Sequence, residues 1–221
     1  MGAAIGDILG FAVGVAISPV PIIAVILILF SAKPRANSLS FLLGWIVGLS
    51  LAGAIVLALG LTASDGTASD LAGWIKIAIG ALVLFLGWRD WSGRPKGDEK
   101  AAMPEWMEAI DGFNAGKSFV AGFVLSALNP KNLGLTIAAM ASVSAAGLST
   151  GEEIGTLAVF VLIASLTVAA PVALNLILGS KATTTLTDMQ NWLIANNSVV
   201  MAVLFVVIGA KVLGAGIAIV A

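Results

Sequence analysis

Long apolar runs alternate with short polar stretches along almost the entire chain. Crossing a bilayer takes about 20 consecutive apolar residues in a helix. Runs of that length fall at Ala4–Ser31, Leu39–Leu61, Leu71–Trp91, Lys117–Ala146, Ile154–Leu178 and Asn197–Ile219. The polar connections between them are short, apart from 92–116 and 179–196. The pattern predicts an all-α integral membrane protein of six spans. Two of the runs carry an interruption, Ser18-Pro19-Val20-Pro21 in the first and Asn129-Pro130-Lys131-Asn132 in the fourth. Proline removes a backbone donor and obstructs the carbonyl one turn earlier, and it pushes the preceding residue out of helical geometry. Both runs are therefore expected to be broken helices.

The interruptions occupy equivalent places. Gly10-Phe11 aligns with Gly122-Phe123, and one gap then brings Pro19 onto Pro130. Further on, the segment Ile79–Arg89 resembles Met201–Lys211, each with a glycine followed two positions later by a basic residue. The chain thus divides into a three-helix repeat at 1–91, a loop at 92–116 and a second three-helix repeat at 117–221. Three spans per half make the second half inverted relative to the first, an arrangement in which broken helices meet near the midplane.

Charge orients the spans. Lys33 and Arg35, then Arg94, Lys96 and Lys100, then Lys181 lie in alternate connections; the other connections hold only Asp65 and Asp70, or Glu152 and Glu153. Basic loops stay cytoplasmic, which puts both termini outside. The amino terminus lacks a basic n-region and reads as the start of a retained span. Trp74, Trp88, Trp91 and Trp192 fall at headgroup depth, and Trp45 lies near the start of the second run. Within the 92–116 loop, Met103, Trp106, Met107, Ile110 and Phe113 recur at three- and four-residue steps, predicting an amphipathic interfacial helix. Gly2, Gly6, Gly10 and Gly14 recur every four residues, as do Gly44 and Gly48. Such spacing predicts close helix packing.

With 59% hydrophobic and 10% charged residues, and neither cysteine nor histidine, the composition removes thiol chemistry and a histidine base. Mid-span carboxylates are missing as well, so a cation exporter or a carboxylate proton relay fits poorly. Gly112–Ser118 has three residues between its glycines where a phosphate loop needs four, and no strand precedes it. No cofactor or metal is expected, and no enzymatic activity. The one mid-span charge with promise is Lys131, because intramembrane ionisable residues usually mark function. A helix restarting after Pro130 would aim its positive dipole end at the break. Asn129 and Asn132 add amide groups there. Together they suit an anionic headgroup, although the same amides are equally suited to bonding the broken backbone. In the fifth run, Pro171 with Asn175 a turn later, and Ser165 and Thr167 before it, are further candidates for lining a cavity.

The broken first helix with Ser-Pro-x-Pro, the Asn-Pro-Lys-Asn of the second half and the closing Gly-x-Arg and Gly-x-Lys helices resemble the lysine exporter (LysE) superfamily. The opening GDILGFAVGVAISPVPIIAVILILFSAKPRANSLSFLLGWIVG is more particularly similar to the actinobacterial glycolipid-addressing protein (GAP) family. The likeness covers nearly the whole chain, most specifically residues 17–48 and 122–134. It implies a six-span inverted repeat in a bacterial inner membrane and a transporter of an anionic or glycosylated lipid, or a lipid-linked envelope precursor. On the motif match it carries over Ser18, Pro19, Pro21, Asn129, Pro130, Lys131 and Asn132 as substrate-pathway residues. A small-solute exporter, for amino acids or an inorganic anion, is the alternative. A non-transporting adaptor of an envelope export complex is another. Expected partners are membrane lipids and the lipid substrate, with a homodimer or an envelope export partner left open and no nucleic acid.

Overall fold

The computed structural model describes residues 1–60, 70–94, 110 and 112–221. Among them the chain is all helix and turn, without a strand. The helices are α1 (Gly2–Ala16), α2 (Pro19–Leu29), α3 (Pro34–Ala58), α4 (Asp70–Ser92), α5 (Ala115–Phe123), α6 (Pro130–Ala145), α7 (Thr150–Leu178) and α8 (Thr183–Val220). Among the described residues, α3 and the run Thr150–Val220 are long and apolar enough to cross a membrane, and α1 and α2 reach that length and apolarity only when taken together across their bend. These apolar helices make it a membrane protein. Most of the predicted amphipathic segment, 101–109 and 111, lies outside the described residues.

Both proline-bearing runs break. α1 ends at Ala16, capped by Ile17, and α2 restarts at Pro19 with a bend of 51°. In the second, α5 loosens into a π turn over Val124–Leu128, and α6 restarts at Pro130. Pro171, by contrast, is accommodated inside α7 without ending it. The 179–196 stretch, read as a loop, is instead a short 3-10 turn at Gly179–Ala182 followed by the first turns of α8. Leu186 and Gln190, one turn apart, are both buried. That face gives this polar stretch a reason to be helical.

The described residues cluster into two compact units, one within Met1–Ala63 and Met103–Asn191, the other within Ser64–Ala102 and Trp192–Ala221. In the first, α3 and α5 run alongside each other at glycine contacts. A Cβ on Gly44 would overlap the Phe119 carbonyl, one on Gly48 would meet the Ser126 hydroxyl, and one on Gly122 would overlap the Phe41 carbonyl. Trp45 sits in this crossing, fully buried. It is therefore a core residue and not part of the interfacial aromatic belt, because Gly122 lets α5 come within reach of its backbone. The other described tryptophans, Trp74, Trp88, Trp91 and Trp192, are exposed. On α1 the packing expectation fails for three of the four glycines: Gly2, Gly6 and Gly10 are exposed and face open space, and Gly14 alone is buried.

The second unit is an antiparallel pair. Glycines on α4 meet α8 along its length: Gly73 at Val220, Gly80 at Leu213 and Gly87 at Ala202 and Val206. From the other side, Gly209 meets Leu84 and Gly216 meets Ile77.

Candidate functional site

The break before α6 exposes backbone groups that the sequence around it then occupies. A π turn gives the Asn129 N–H to the Val124 carbonyl at 3.0 Å, which leaves the Leu125 carbonyl without its usual helical donor. Asn132 fills the gap, its Nδ2 donating to the Leu125 carbonyl at 2.9 Å. Asn129 serves as N-cap, its Oδ1 accepting from the Lys131 N–H at 3.0 Å. Pro130 has no N–H to offer, and the Leu133 N–H already bonds the Asn129 carbonyl at 2.9 Å. The donors expected to face a ligand at this helix start are thus largely taken up by the helix itself. What remains is the dipole, and Lys131.

Lys131 is the unusual group. Its Nζ is buried and has no hydrogen-bond partner among the described residues. An ammonium taken out of water is costly unless an opposite charge or several acceptors compensate it. The Oδ1 of the neighbouring Asn132, itself fully buried, is also without a partner. One turn further on, the Thr136 hydroxyl is spent on the Asn132 carbonyl at 2.8 Å. Pro130 is exposed at the start of the helix.

The break in the first run is repaired differently. Ser18, Pro19 and Pro21 are all buried, and the Ser18 side chain makes no cap hydrogen bond. Restarting at Pro19 costs the Ala16 carbonyl its helical donor, and the Thr167 hydroxyl on α7 donates to it at 2.5 Å. Thr167 therefore bonds the broken backbone. Asn175, half-buried further along α7, has its backbone carbonyl accepting from the Gly179 N–H.

Between α3 and α7 lies an apolar groove of about 620 Å³, lined by Ile46, Ser50 and Ala54 on one side and Leu157, Val161 and Ser165 on the other. Lys131 is not among its lining residues. Two groups that the sequence did not single out also emerge. Asn37, buried at the start of α3, donates to the Ser31 hydroxyl at 3.0 Å and to the Phe113 carbonyl at 2.9 Å, tying the α2–α3 corner to the segment that precedes α5. Ser118, buried on α5, has an unpartnered hydroxyl. Asn37 carried a weak signal, an asparagine four residues after a basic loop residue; Ser118 entered only as the last residue of the phosphate-loop near-match at Gly112–Ser118, which says nothing of its burial.

A family model described as "Sap, sulfolipid-1-addressing protein" matches residues 8–218. No curated protein and no solved structure gives a significant match.

Proposed function

Because the chain belongs to the Sap, sulfolipid-1-addressing protein family, we propose that it moves an anionic or glycosylated lipid, or a lipid-linked envelope precursor, across or out of a bacterial inner membrane. The observation that carries this reading is the buried, unpartnered Lys131 ammonium at the start of α6. A sulfate, phosphate or carboxylate headgroup would supply the missing counter-charge, with Asn132 beside it. A cation would not. The protein would act by binding and release and not as an enzyme, for it has no histidine or cysteine with which to do covalent or acid–base work.

The transporter reading includes a six-span inverted repeat, and packing within each unit supports it. In the aligned repeat, Gly87 corresponds to Gly209 and Leu84 to Val206. A Cβ on Gly87 would lie 3.4 Å from the Val206 nitrogen, and one on Gly209 would lie 3.0 Å from the Leu84 nitrogen. Exchanging the two helices therefore exchanges the two contacts, as a two-fold axis between them requires. In the other unit, α5 lies parallel to α3, from Asn37 beside Phe113 to Gly48 beside Phe123. Likewise α1 lies parallel to α7, from Met1 beside Gly155 to Ala16 beside Thr167. Those two pairings are what a swap of the halves would interconvert. They also favour alternating spans, since Met1 and the start of α7 fall together at one end and Phe113 and the start of α3 at the other.

The test is a proteoliposome assay that follows fluorescent phosphatidylglycerol between leaflets. Removing one charge-assisted contact lowers affinity by about 10- to 100-fold, so Lys131→Ala should slow transfer on that scale, and Lys131→Arg should retain part of it. Unchanged transfer by Lys131→Ala in folded protein would sink the proposal. Exchange of a radiolabelled solute without lipid movement would favour the small-solute exporter.

A further inference from the structure

The groove between α3 and α7 is a second feature that the Lys131 contact does not use. Its lining follows helical rows of four: Leu42, Ile46, Ser50 and Ala54 on α3, and Leu157, Val161, Ser165 and Ala169 on the facing row of α7. Rows of this length run about 18 Å along each helix at 1.5 Å per residue. The slot is thus long, narrow and parallel to the helices. No charged residue lines it. Its floor is opened by small side chains, and Gly53 brings the two helices together beside Leu157.

Two serines, Ser50 and Ser165, interrupt an otherwise hydrocarbon-like lining, and of the two Ser165 is the one with a buried, unpartnered hydroxyl. Ser165 is 6% exposed, and its hydroxyl has no partner among the described residues. A serine in an apolar helix ordinarily donates back to its own backbone one turn earlier. Ser142 does so at 2.7 Å and Ser126 at 3.0 Å. Leaving a buried hydroxyl unpaired is unfavourable, and a ligand oxygen would remove that cost. Ser165 lies near one end of the slot, with the apolar length extending from it toward Ile154. α6, the helix that carries Lys131, packs against both α3 and α7.

We propose that the α3–α7 groove seats one acyl chain of an ester-type membrane lipid, with the Ser165 hydroxyl donating to the ester carbonyl at the head of that chain. Charge assigns the two ends of the ligand. The unpartnered ammonium on α6 calls for an anion, whereas the uncharged slot accepts only a neutral chain. This deepens the lipid-transport reading and rests on it for the identity of the cargo, although chain seating is measurable without transport.

The test uses intact protein in phosphatidylcholine vesicles containing phosphatidylglycerol with a diazirine on one acyl chain, and the same probe with ether in place of ester linkages. Irradiation and peptide mapping should place the label on residues 42–54 and 154–169. Ala158→Trp, which fills the slot, should abolish that label. Ser165→Ala should lower labelling by the ester probe about fivefold, the worth of one hydrogen bond, and leave the ether probe unchanged. It keeps the proposal falsifiable if the tryptophan variant misfolds. Label spread evenly over all lipid-facing helices, or an unchanged ester-to-ether ratio in Ser165→Ala, would overturn it. So would disulfide-linked dimers of Ala158→Cys, readable because the chain has no cysteine of its own. Such dimers would make the slot a protomer contact. If groove labelling persists while Lys131→Ala transfers lipid normally, the chain seat stands and the headgroup assignment alone falls.

Discussion

Three side chains hold the two helix breaks open inside apolar surroundings, and each does so by replacing one lost backbone hydrogen bond. Asn132 takes the Leu125 carbonyl, Asn129 caps the Lys131 N–H, and Thr167 reaches across from α7 to the Ala16 carbonyl. In hydrocarbon an unsatisfied carbonyl has no water to turn to. Asn132→Leu should therefore destabilise by about 1–3 kcal/mol, measured as the shift in thermal unfolding of the detergent-solubilised protein. Thr167→Val, which keeps the shape and removes the donor, should fall in the same range. If Asn132→Leu proved neutral, the Leu125 carbonyl would have to find another donor. At the polar end of α7, Glu152 accepts from the Ser149 hydroxyl at 2.9 Å and the Ser149 N–H at 3.1 Å, and its carboxylate lies 3.7 Å from the Met1 ammonium. The Ser149 hydrogen bonds, first the hydroxyl's and then the backbone's, hold its pKa below the ordinary carboxylate value, with the Met1 charge adding to them. A depressed folded-state pKa means that this stabilisation is present above the unfolded value and is lost as pH falls through the folded one. Ser149→Ala should accordingly move the Glu152 titration, followed by NMR, back up toward the ordinary carboxylate value. A variant titrating where wild type does would detach the capping contact from the shift.

At the scale of the helix, the glycine pattern meant two different things, and spacing alone had no means of separating them. Gly44, Gly48 and Gly122 sit where backbones touch; Gly2, Gly6 and Gly10 have the same spacing and touch nothing. Small residues four apart permit a close approach, yet the partner is supplied by the rest of the chain. Proline was read more securely, because its effect is local: a missing donor and a steric clash act whatever lies nearby. Both breaks stand where Pro19 and Pro130 put them. Even so, Pro171 remained inside α7, since neighbouring helices can absorb a lost bond. Trp45 shows the same limit: its position near a span end suggested the interface, whereas its glycine neighbours buried it. The contrast is measurable. Gly122→Leu should overpack the α3–α5 crossing and destabilise by about 1–3 kcal/mol or more, seen as a lowered unfolding temperature. Gly10→Ala should be neutral or slightly stabilising, because it gains helix propensity without a clash. Equal losses at the two sites would mean that the first glycine row is packed after all.

Taken whole, the molecule poses a question that one span cannot answer, namely whether its halves are related by inversion. The charge alternation and the paired prolines were visible along the chain, and so was the likeness of 79–89 to 201–211. That these last two segments are partners, packed on each other glycine against backbone, was not visible, for similarity in sequence does not say who touches whom. Their contact gives the proposed symmetry a sharp consequence. Gly87 and Gly209 should be interchangeable in effect, since each makes room for the residue equivalent to the other's neighbour. Gly87→Leu and Gly209→Leu should then lower stability by similar amounts, about 1–3 kcal/mol each. The double variant should cost less than their sum, because neighbouring sites at one contact relax together. Cysteine labelling in vesicles checks the inversion itself. The background is free of cysteine, and Ala32, on the α2–α3 connection, and Gly151, in the first turn of α7, are both exposed at ends that the alternating-span reading places on opposite sides. An impermeant maleimide should therefore reach Gly151→Cys from outside the cell and Ala32→Cys only after permeabilisation. Labelling of both from one side would remove the inverted repeat, and with it the expectation that the two broken helices enter the membrane from opposite faces.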